Sequence, residues 1–226
     1  MKIKPVISPN FGWNKKTHIV MTEEAAKDNA ELSKVERRML GRFSQMPDVD
    51  PRELVDMISP HFYDVLHPDP CFGTKNDARN NALSRFMSFS RKALKSKDRE
   101  TFLRHMGYAA HYLQDVSTPP HTEHGNYAHK LYRVPMHKMF EKWAPFGAST
   151  RLDSLVKNFV PEEVPFSTLQ SLLHNTALYT VQPENKVRYY NISKWSKKQQ
   201  RCFNKGVNAT KAYFDYMLQY IPKRVV

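Results

Sequence analysis

Residues 111–141, HYLQDVSTPPHTEHGNYAHKLYRVPMHKMFE, hold five of the ten histidines in the chain, in an order that reads as a metal site. His111 and Asp115 are four apart, and so are His137 and Glu141. On helices, residues i and i+4 lie on one face, so each pair would project together and two facing helices could grip metal between them. Thr118-Pro119-Pro120 interrupts the stretch, because proline lacks an N–H and disfavours helix in the residue before it. His121 follows at once, just past the break.

Working outward, 226 residues suit one domain with a core large enough to need no staples. Only 7 glycines, rare strand-type alternation and long charged amphipathic stretches point to helices. Two cysteines, Cys71 and Cys202, make no disulfide framework; one bridge or two free thiols both fit. The net charge of +13 favours anionic partners such as phospholipid head groups, phosphate esters or nucleic acid, with a plain basic surface as the alternative. No apolar run approaches the ~20 residues that span a bilayer, and MKIKPVISPNFG lacks the apolar core of a secretory signal.

Along the chain, Thr17 reads as a helix N-cap with His18 in the first turn, and taken alone His18 reads as a surface residue. Ser33 and Glu36 have capping-box spacing, for a helix that stops near Gly41. The proline-cut stretch 46–70 offers Asp48, Asp50, His61, Asp64 and His67 as candidate ligands; the plainer reading is that Asp48 or Asp50 caps a helix at Pro51. Helical pattern then runs over about 76–94, 98–116, 127–143 with a kink or start at Pro135, 167–180 and 193–220. In the stretch 98–116 a buried Asp115 needs a partner, and either a hydrogen bond to His111 or a cation would supply it. Phe203, Val207, Phe214, Met217 and Ile221 form the core stripe of the last helix, while Lys194, Lys197, Lys198, Arg201 and Lys205 make a solvated face or an anionic-surface contact. No repeat and no low-complexity segment is visible.

The combination says more than its parts. His111-x-x-x-Asp115, five residues, His121, then His137-x-x-x-Glu141, with Trp13 and His18 upstream and Asp48 and His61 between, resembles the zinc-dependent phospholipase C family, whose fold is shared with fungal single-strand nucleases. HYLQDVSTPPH is similar to that family's HYLGD helix and Pro-x-His turn, and HFYD at 61–64 echoes another segment. The resemblance runs from Trp13 to the last helix. It implies an all-α fold, a single-domain helical bundle over 13–226, with 1–12 an extension or propeptide-like segment, around a cleft holding three zinc ions. It also implies the ligands: Asp48, His61, His111 and Asp115 for one zinc, and His121, His137 and Glu141 for a second. Asp115 would bridge to a third held by His18 and Trp13. Imidazole and carboxylate are ordinary zinc ligands, and a site with three protein ligands leaves a position for water or substrate. Zinc lowers the pKa of water to about 7, and neighbouring metals clamp phosphate oxygens. Three such ions against Asp48, Asp115 and Glu141 leave roughly +3 in the cleft, which draws in a phosphodiester. Asp48 is the implied catalytic group that orients or deprotonates water, although it would also be a ligand.

Two departures stand out. In the family the tryptophan is the mature amino terminus and binds zinc through its amine and carbonyl oxygen, whereas Trp13 follows twelve residues; either the chain is cut after Gly12 or the third zinc lacks its amine ligand. Gln114 stands where glycine is frequent, a solvent-side or packing change. His124 and His129 have no role in the pattern and read as loop or surface histidines. Glu141, in place of the aspartate typical of the nuclease branch, tilts the expectation toward a phospholipase C that releases diacylglycerol and a phosphorylated head group. The alternatives are a single-strand nuclease or 3′-nucleotidase, and a non-enzymatic basic module that keeps structural metal and binds membranes. A monomer is expected; the family is generally exported, and no signal is visible here to say where this chain works.

Overall fold

The computed structural model describes residues 15–49, 61, 63, 65, 81–122, 149–185 and 195–223, and among them all regular structure is helical, as the sequence predicts. Helix α1 spans Lys15–Ala26, α2 Lys34–Ser44, α3 Ala82–Leu94 and α4 Arg99–Asp115. A single turn, α5, covers Pro119–Thr122; α6 covers Ser149–Lys157, α7 Leu169–Thr180 and α8 Trp195–Met217. Short 3-10 turns follow α2 at Met46–Asp48 and α8 at Leu218–Tyr220.

Local chemistry sets most of these ends. The expected box at Ser33 is formed: Glu36 N donates to Ser33 Oγ and Ser33 N donates to a Glu36 carboxylate oxygen at 2.7 Å. Asn81 with Ser84, and Thr168 with Ser171, close reciprocal boxes on α3 and α7. Asp98 caps α4 by accepting from Thr101 N at 2.8 Å.

Four expectations change. Thr17 is no N-cap, since α1 already begins at Lys15 and carries Thr17 and His18 inward, both fully buried. The helix expected to stop near Gly41 runs on to Ser44, because Gly41 serves close approach and not termination: a Cβ there would lie 3.2 Å from the side chains of Ile19 and Glu23 on α1. α3 begins at Ala82, after Asn81 in extended backbone as its N-cap, and the part of the expected helix over 76–80 lies outside the described residues. α6, nine residues between the helices expected over 127–143 and 167–180, lies where no helix is predicted; it turns Leu155 into the core. The helix expected over 127–143 lies outside the described residues.

α4 is the axis of the bundle and packs against α1, α2, α3 and α8. Every residue from Met106 to Asp115 is buried, which a helix tolerates only when neighbours cover it on all sides. Small residues make room for them. A Cβ on Gly107 would lie 2.5 Å from Phe43 Cβ and 3.2 Å from the Leu40 carbonyl, and one on Gly206 would strike Met21 of α1 and Ser117. Phe86, Phe102, Tyr112, Phe203, Tyr213 and Phe214 fill the remaining core, each contributing on the order of 2 kcal/mol through burial. Of the stripe expected on the last helix, Phe203, Val207, Phe214 and Met217 are buried and Ile221 packs at its edge. Cys202 is a free, buried thiol, pushed up to about 12 by that burial; Cys71 lies outside the described residues.

The amino-terminal end of α4 is fixed by Arg99, which pairs with Glu36 and donates to the carbonyls of Glu31 and Pro222. Its carboxy-terminal end carries His111 and Asp115. Among the described residues no helix is long and apolar enough to cross a membrane.

Candidate metal centre

The break at Thr118-Pro119-Pro120 ends α4 as expected, and its hydroxyls close the helix. Ser117 Oγ donates to the Gln114 carbonyl at 2.6 Å and Thr118 Oγ1 to the Asp115 carbonyl at 2.8 Å. The two prolines then open α5, which returns His121 toward Asp115. His61 is tied to the same turn from both sides: His121 Nδ1 donates to the His61 carbonyl at 2.8 Å, and Tyr63 N donates to the His121 carbonyl at 2.9 Å. From the other flank, α1 supplies His18 and the 3-10 turn after α2 supplies Asp48.

Six of the nine expected ligands thus come together, Asp115 in their midst. Asp115 Oδ2 lies 2.7 Å from His61 Nδ1 and 3.1 Å from His111 Nε2, and those two nitrogens are 3.0 Å apart. Ligand atoms of a tetrahedral zinc at ~2.05 Å would be about 3.3 Å apart, so this triangle is close to the edge length an ion requires. Asp115 Oδ1 faces the other way, 3.5 Å from His18 Nε2 and 3.8 Å from His121 Nδ1. Asp48 spans both sides, 3.6 Å from His111 Nε2 and 4.0 Å from His18 Nε2. Trp13, His137 and Glu141 lie outside the described residues, as do Asp50, Asp64, His67, His124 and His129.

The donor set fits a cation on three counts. His18, His111, Asp115 and His121 are essentially excluded from solvent, so His18 is no surface residue. Asp115 Oδ1 and His18 Nε2 are buried without a hydrogen-bond partner, although they face each other. Such orphaned polar atoms cost free energy unless something satisfies them. Two of the histidines are also anchored from behind: His111 Nδ1 donates to the Ser44 carbonyl at 2.9 Å and His18 Nδ1 bonds Gln114 Oε1 at 2.7 Å, while His121 donates to the His61 carbonyl through Nδ1, the nitrogen that faces Asp115. Anchoring one ring nitrogen leaves the other as the lone pair for a ligand bond. The C-terminal end of α4 adds its negative dipole, which favours a positive charge there.

Metal-free, these groups divide the protons unequally. Burial, helped by His111, pushes His18 down to about 3 against the pull of Asp115. Burial likewise lowers His121 to about 4. The same burial acts on His111, but Asp115 and Asp48 outweigh it and hold His111 up at about 9. Burial would raise Asp115, yet His111 and His121 keep its carboxyl well below the usual range.

At Gln114, where the sequence leaves a solvent-side or a packing change open, the structure decides for packing. The side chain is fully buried, not solvent-side, and bonds Thr22 of α1 and Thr210 of α8 as well as His18. Ser44 was missed altogether, because it acts through its backbone carbonyl and no side-chain pattern reports that.

Fold and site together define an all-α bundle with a buried histidine–aspartate cluster of metal-ligand type at the end of its central helix. Solved structures similar to it include the alpha toxin from Clostridium absonum, at 18% identity and a TM-score of 0.65, over 96% of this chain and 68% of that one. Another is the alpha toxin of a Clostridium perfringens avian strain, at 18% identity and a TM-score of 0.56, over 92% of this chain and 64% of the toxin. The chain therefore spans about two thirds of the length of these toxins and shares their all-α fold. No protein-family model and no curated protein sequence matches it.

Proposed function

We propose that this chain is a zinc-dependent phosphodiester hydrolase of the phospholipase C type, acting on phospholipid to release diacylglycerol and a phosphorylated head group. The observation that carries the reading is the solvent-excluded convergence of His18, His61, His111 and His121 on Asp115, with Asp115 Oδ1 and His18 Nε2 left without hydrogen bonds. The fold shared with the clostridial toxins supports it.

In this reading Asp48, His61, His111 and Asp115 would hold one ion, and Asp115 with His18 another, to which Trp13 would add its carbonyl, and its amine if the chain is cut after Gly12. His121 would hold a third together with His137 and Glu141. Zinc in such a site supplies Lewis acidity toward phosphate oxygens and makes water acidic enough to ionise near neutral pH. The chain's own residues do the rest. Asp115 presents one oxygen toward His18 and the other toward His61, so its carboxylate would serve groups on both sides. The side chain of Asp48 is 10% exposed where those of His18, His111 and Asp115 are closed, so Asp48 is the carboxylate that meets solvent and can take a proton from water or orient it. Burial of the four imidazoles keeps bulk water off the ligands and strengthens each electrostatic contact.

The test is elemental analysis of the purified chain followed by hydrolysis of short-chain phosphatidylcholine and of single-stranded DNA, each with wild type and with His121→Ala. Bound zinc, lipid turnover and its loss in the variant are expected. Turnover of DNA alone moves the reading to the nuclease branch, and lipid turnover undiminished in His121→Ala overturns the ligand assignment. Metal-free protein that stays folded and takes up no zinc leaves the cluster as structural hydrogen bonds.

A further inference from the structure

The site's most unusual support comes from α8, which contributes no candidate ligand. Thr210 Oγ1 donates its only proton to the Gly206 carbonyl at 2.7 Å, so toward Gln114 it can only accept. The side-chain group of Gln114 that faces Thr210 is therefore the amide nitrogen, at 3.4 Å from Thr210 Oγ1 and 2.9 Å from Thr22 Oγ1. That orientation turns Gln114 Oε1 toward His18, 2.7 Å from Nδ1. An amide oxygen only accepts, so Nδ1 must carry the proton and Nε2 is left with its lone pair. Nε2 is the buried atom that faces Asp115 Oδ1 at 3.5 Å with no hydrogen bond of its own.

We infer that Gln114, held by Thr210 and Thr22, is a positioning residue that fixes the tautomer and ring orientation of His18 and so sets the zinc affinity of the site between His18 and Asp115. The inference rests on the metal reading above. It goes beyond that reading because it gives a task to three residues that are not ligands, one of them on a helix remote from the motif. A glycine at 114 could not perform it, having no amide to offer. Outer partners of this kind change metal affinity by about 10–100-fold when removed.

The experiment measures zinc dissociation constants for the full chain by chelator competition. A long-range proton–nitrogen spectrum of the metal-free protein reads the His18 tautomer, and thermal unfolding of the metal-free protein serves as the structural control. In wild type the His18 signals are those of a ring protonated at Nδ1. Gln114→Leu is expected to weaken the affected zinc by about 10–100-fold and to give mixed His18 tautomers. Gln114→Glu keeps the acceptor toward His18, and with it the Nδ1 proton, but offers Thr210 and Thr22 no donor, so it is expected to restore the tautomer and to recover zinc affinity only in part. Thr210→Val removes only the remote end of the relay and loosens zinc by a few-fold, so it decides the matter even if Gln114→Leu does not fold. A purely packing role for Gln114 would lower the melting temperature of the leucine variant while leaving zinc affinity and the His18 spectrum unchanged, and that result overturns the inference. Wild type that binds no zinc at all overturns the metal reading with it, whereas wild-type binding matched by both variants overturns this inference alone.

Discussion

Zinc uptake should displace close to one proton from His18, His111 and His121 taken together, because the fold has already removed protons from two of them. A zinc ligand must be a neutral imidazole, so any proton on the ring is released on binding. Below pH 9 His111 carries one, held there by Asp115 and Asp48 against its own burial; His18 at about 3 and His121 at about 4 are already neutral. At pH 6 three ordinary imidazoles with a pKa of about 6.5 would together surrender roughly 2.3 protons, and this trio surrenders about one. That pH is chosen because zinc-bound water, with a pKa near 7, is then only about one-tenth ionised and adds little to the count. Calorimetric titration of the metal-free chain in buffers of different ionisation enthalpy gives the number, and a histidine proton NMR titration reads each ring, including the separate contribution of His61. His111 titrating near or below 6.5, or more than two protons leaving the trio at pH 6, refutes the electrostatic account of the cluster. Asp48→Asn supplies the internal check, since losing one of the two carboxylates that sustain it must lower the His111 value.

Three further perturbations separate the site from the scaffold. Asp115→Asn removes the shared carboxylate at almost constant volume; it is expected to abolish zinc retention at micromolar metal by elemental analysis and to cost the metal-free fold about 3–5 kcal/mol in urea titration, because His111 loses its buried partner. Gly107→Ala places a methyl against Phe43 Cβ and the Leu40 carbonyl, an overpacking cost of about 1–3 kcal/mol less about 1 kcal/mol gained in helix propensity, read as a melting temperature lower by a few degrees with zinc stoichiometry unchanged. Arg99→Ala cuts the clamp to Glu36, Glu31 and Pro222 for about 1–2 kcal/mol. Burial raises Glu36, but the Arg99 and Ser33 bonds prevail and hold it down at about 2, below the ordinary 4.5; its stabilisation is therefore complete above about pH 4.5 and fades as pH falls toward 2. The stability gap between wild type and Arg99→Ala should shrink over that same interval in pH-dependent urea unfolding.

What the sequence made legible followed from how local each signal is. The box at Ser33, the break at Thr118-Pro119-Pro120 and the apolar stripe of α8 depend on neighbours within one or two turns, and all are found where expected. The i, i+4 spacing likewise put His111 and Asp115 on one face of α4, where they sit 3.1 Å apart. Gly41 misled because glycine serves two opposite purposes, ending helices and letting them touch, and only the position of α1 decides between them. Gln114 stayed open for the same kind of reason: polar, and out of phase with the apolar stripe of α4, it fits a solvent-side or a packing position until α1 and α8 close over it with Thr22 and Thr210. His18 needed α1 to begin two residues before its apparent cap, a boundary shift of the size that end signals leave open.

The distribution of polarity along α4 argues that its last turn was not shaped by stability. Between Phe102 and Leu113 the buried surface of the helix is almost wholly apolar or aromatic, and a continuation in that style would have closed the bundle. Instead the final turn buries a carboxylate at the negative end of a helix dipole, where an anion is disfavoured. Four imidazoles surround it, and two polar atoms that face each other go unbonded. Replacing a buried ionic cluster of this kind with apolar side chains is often neutral or stabilising, so the arrangement is weak as a fastening. Each of its local faults is removed by a positive charge among Asp115, Asp48 and the His18 and His111 nitrogens: the carboxylates gain a counter-charge, the orphaned atoms gain a partner, and the dipole gains the sign it favours. Departures from local consistency concentrate where a chain does its work, and here they coincide at the one end of the central helix that the Ser117, Thr118 and proline break closes off so sharply.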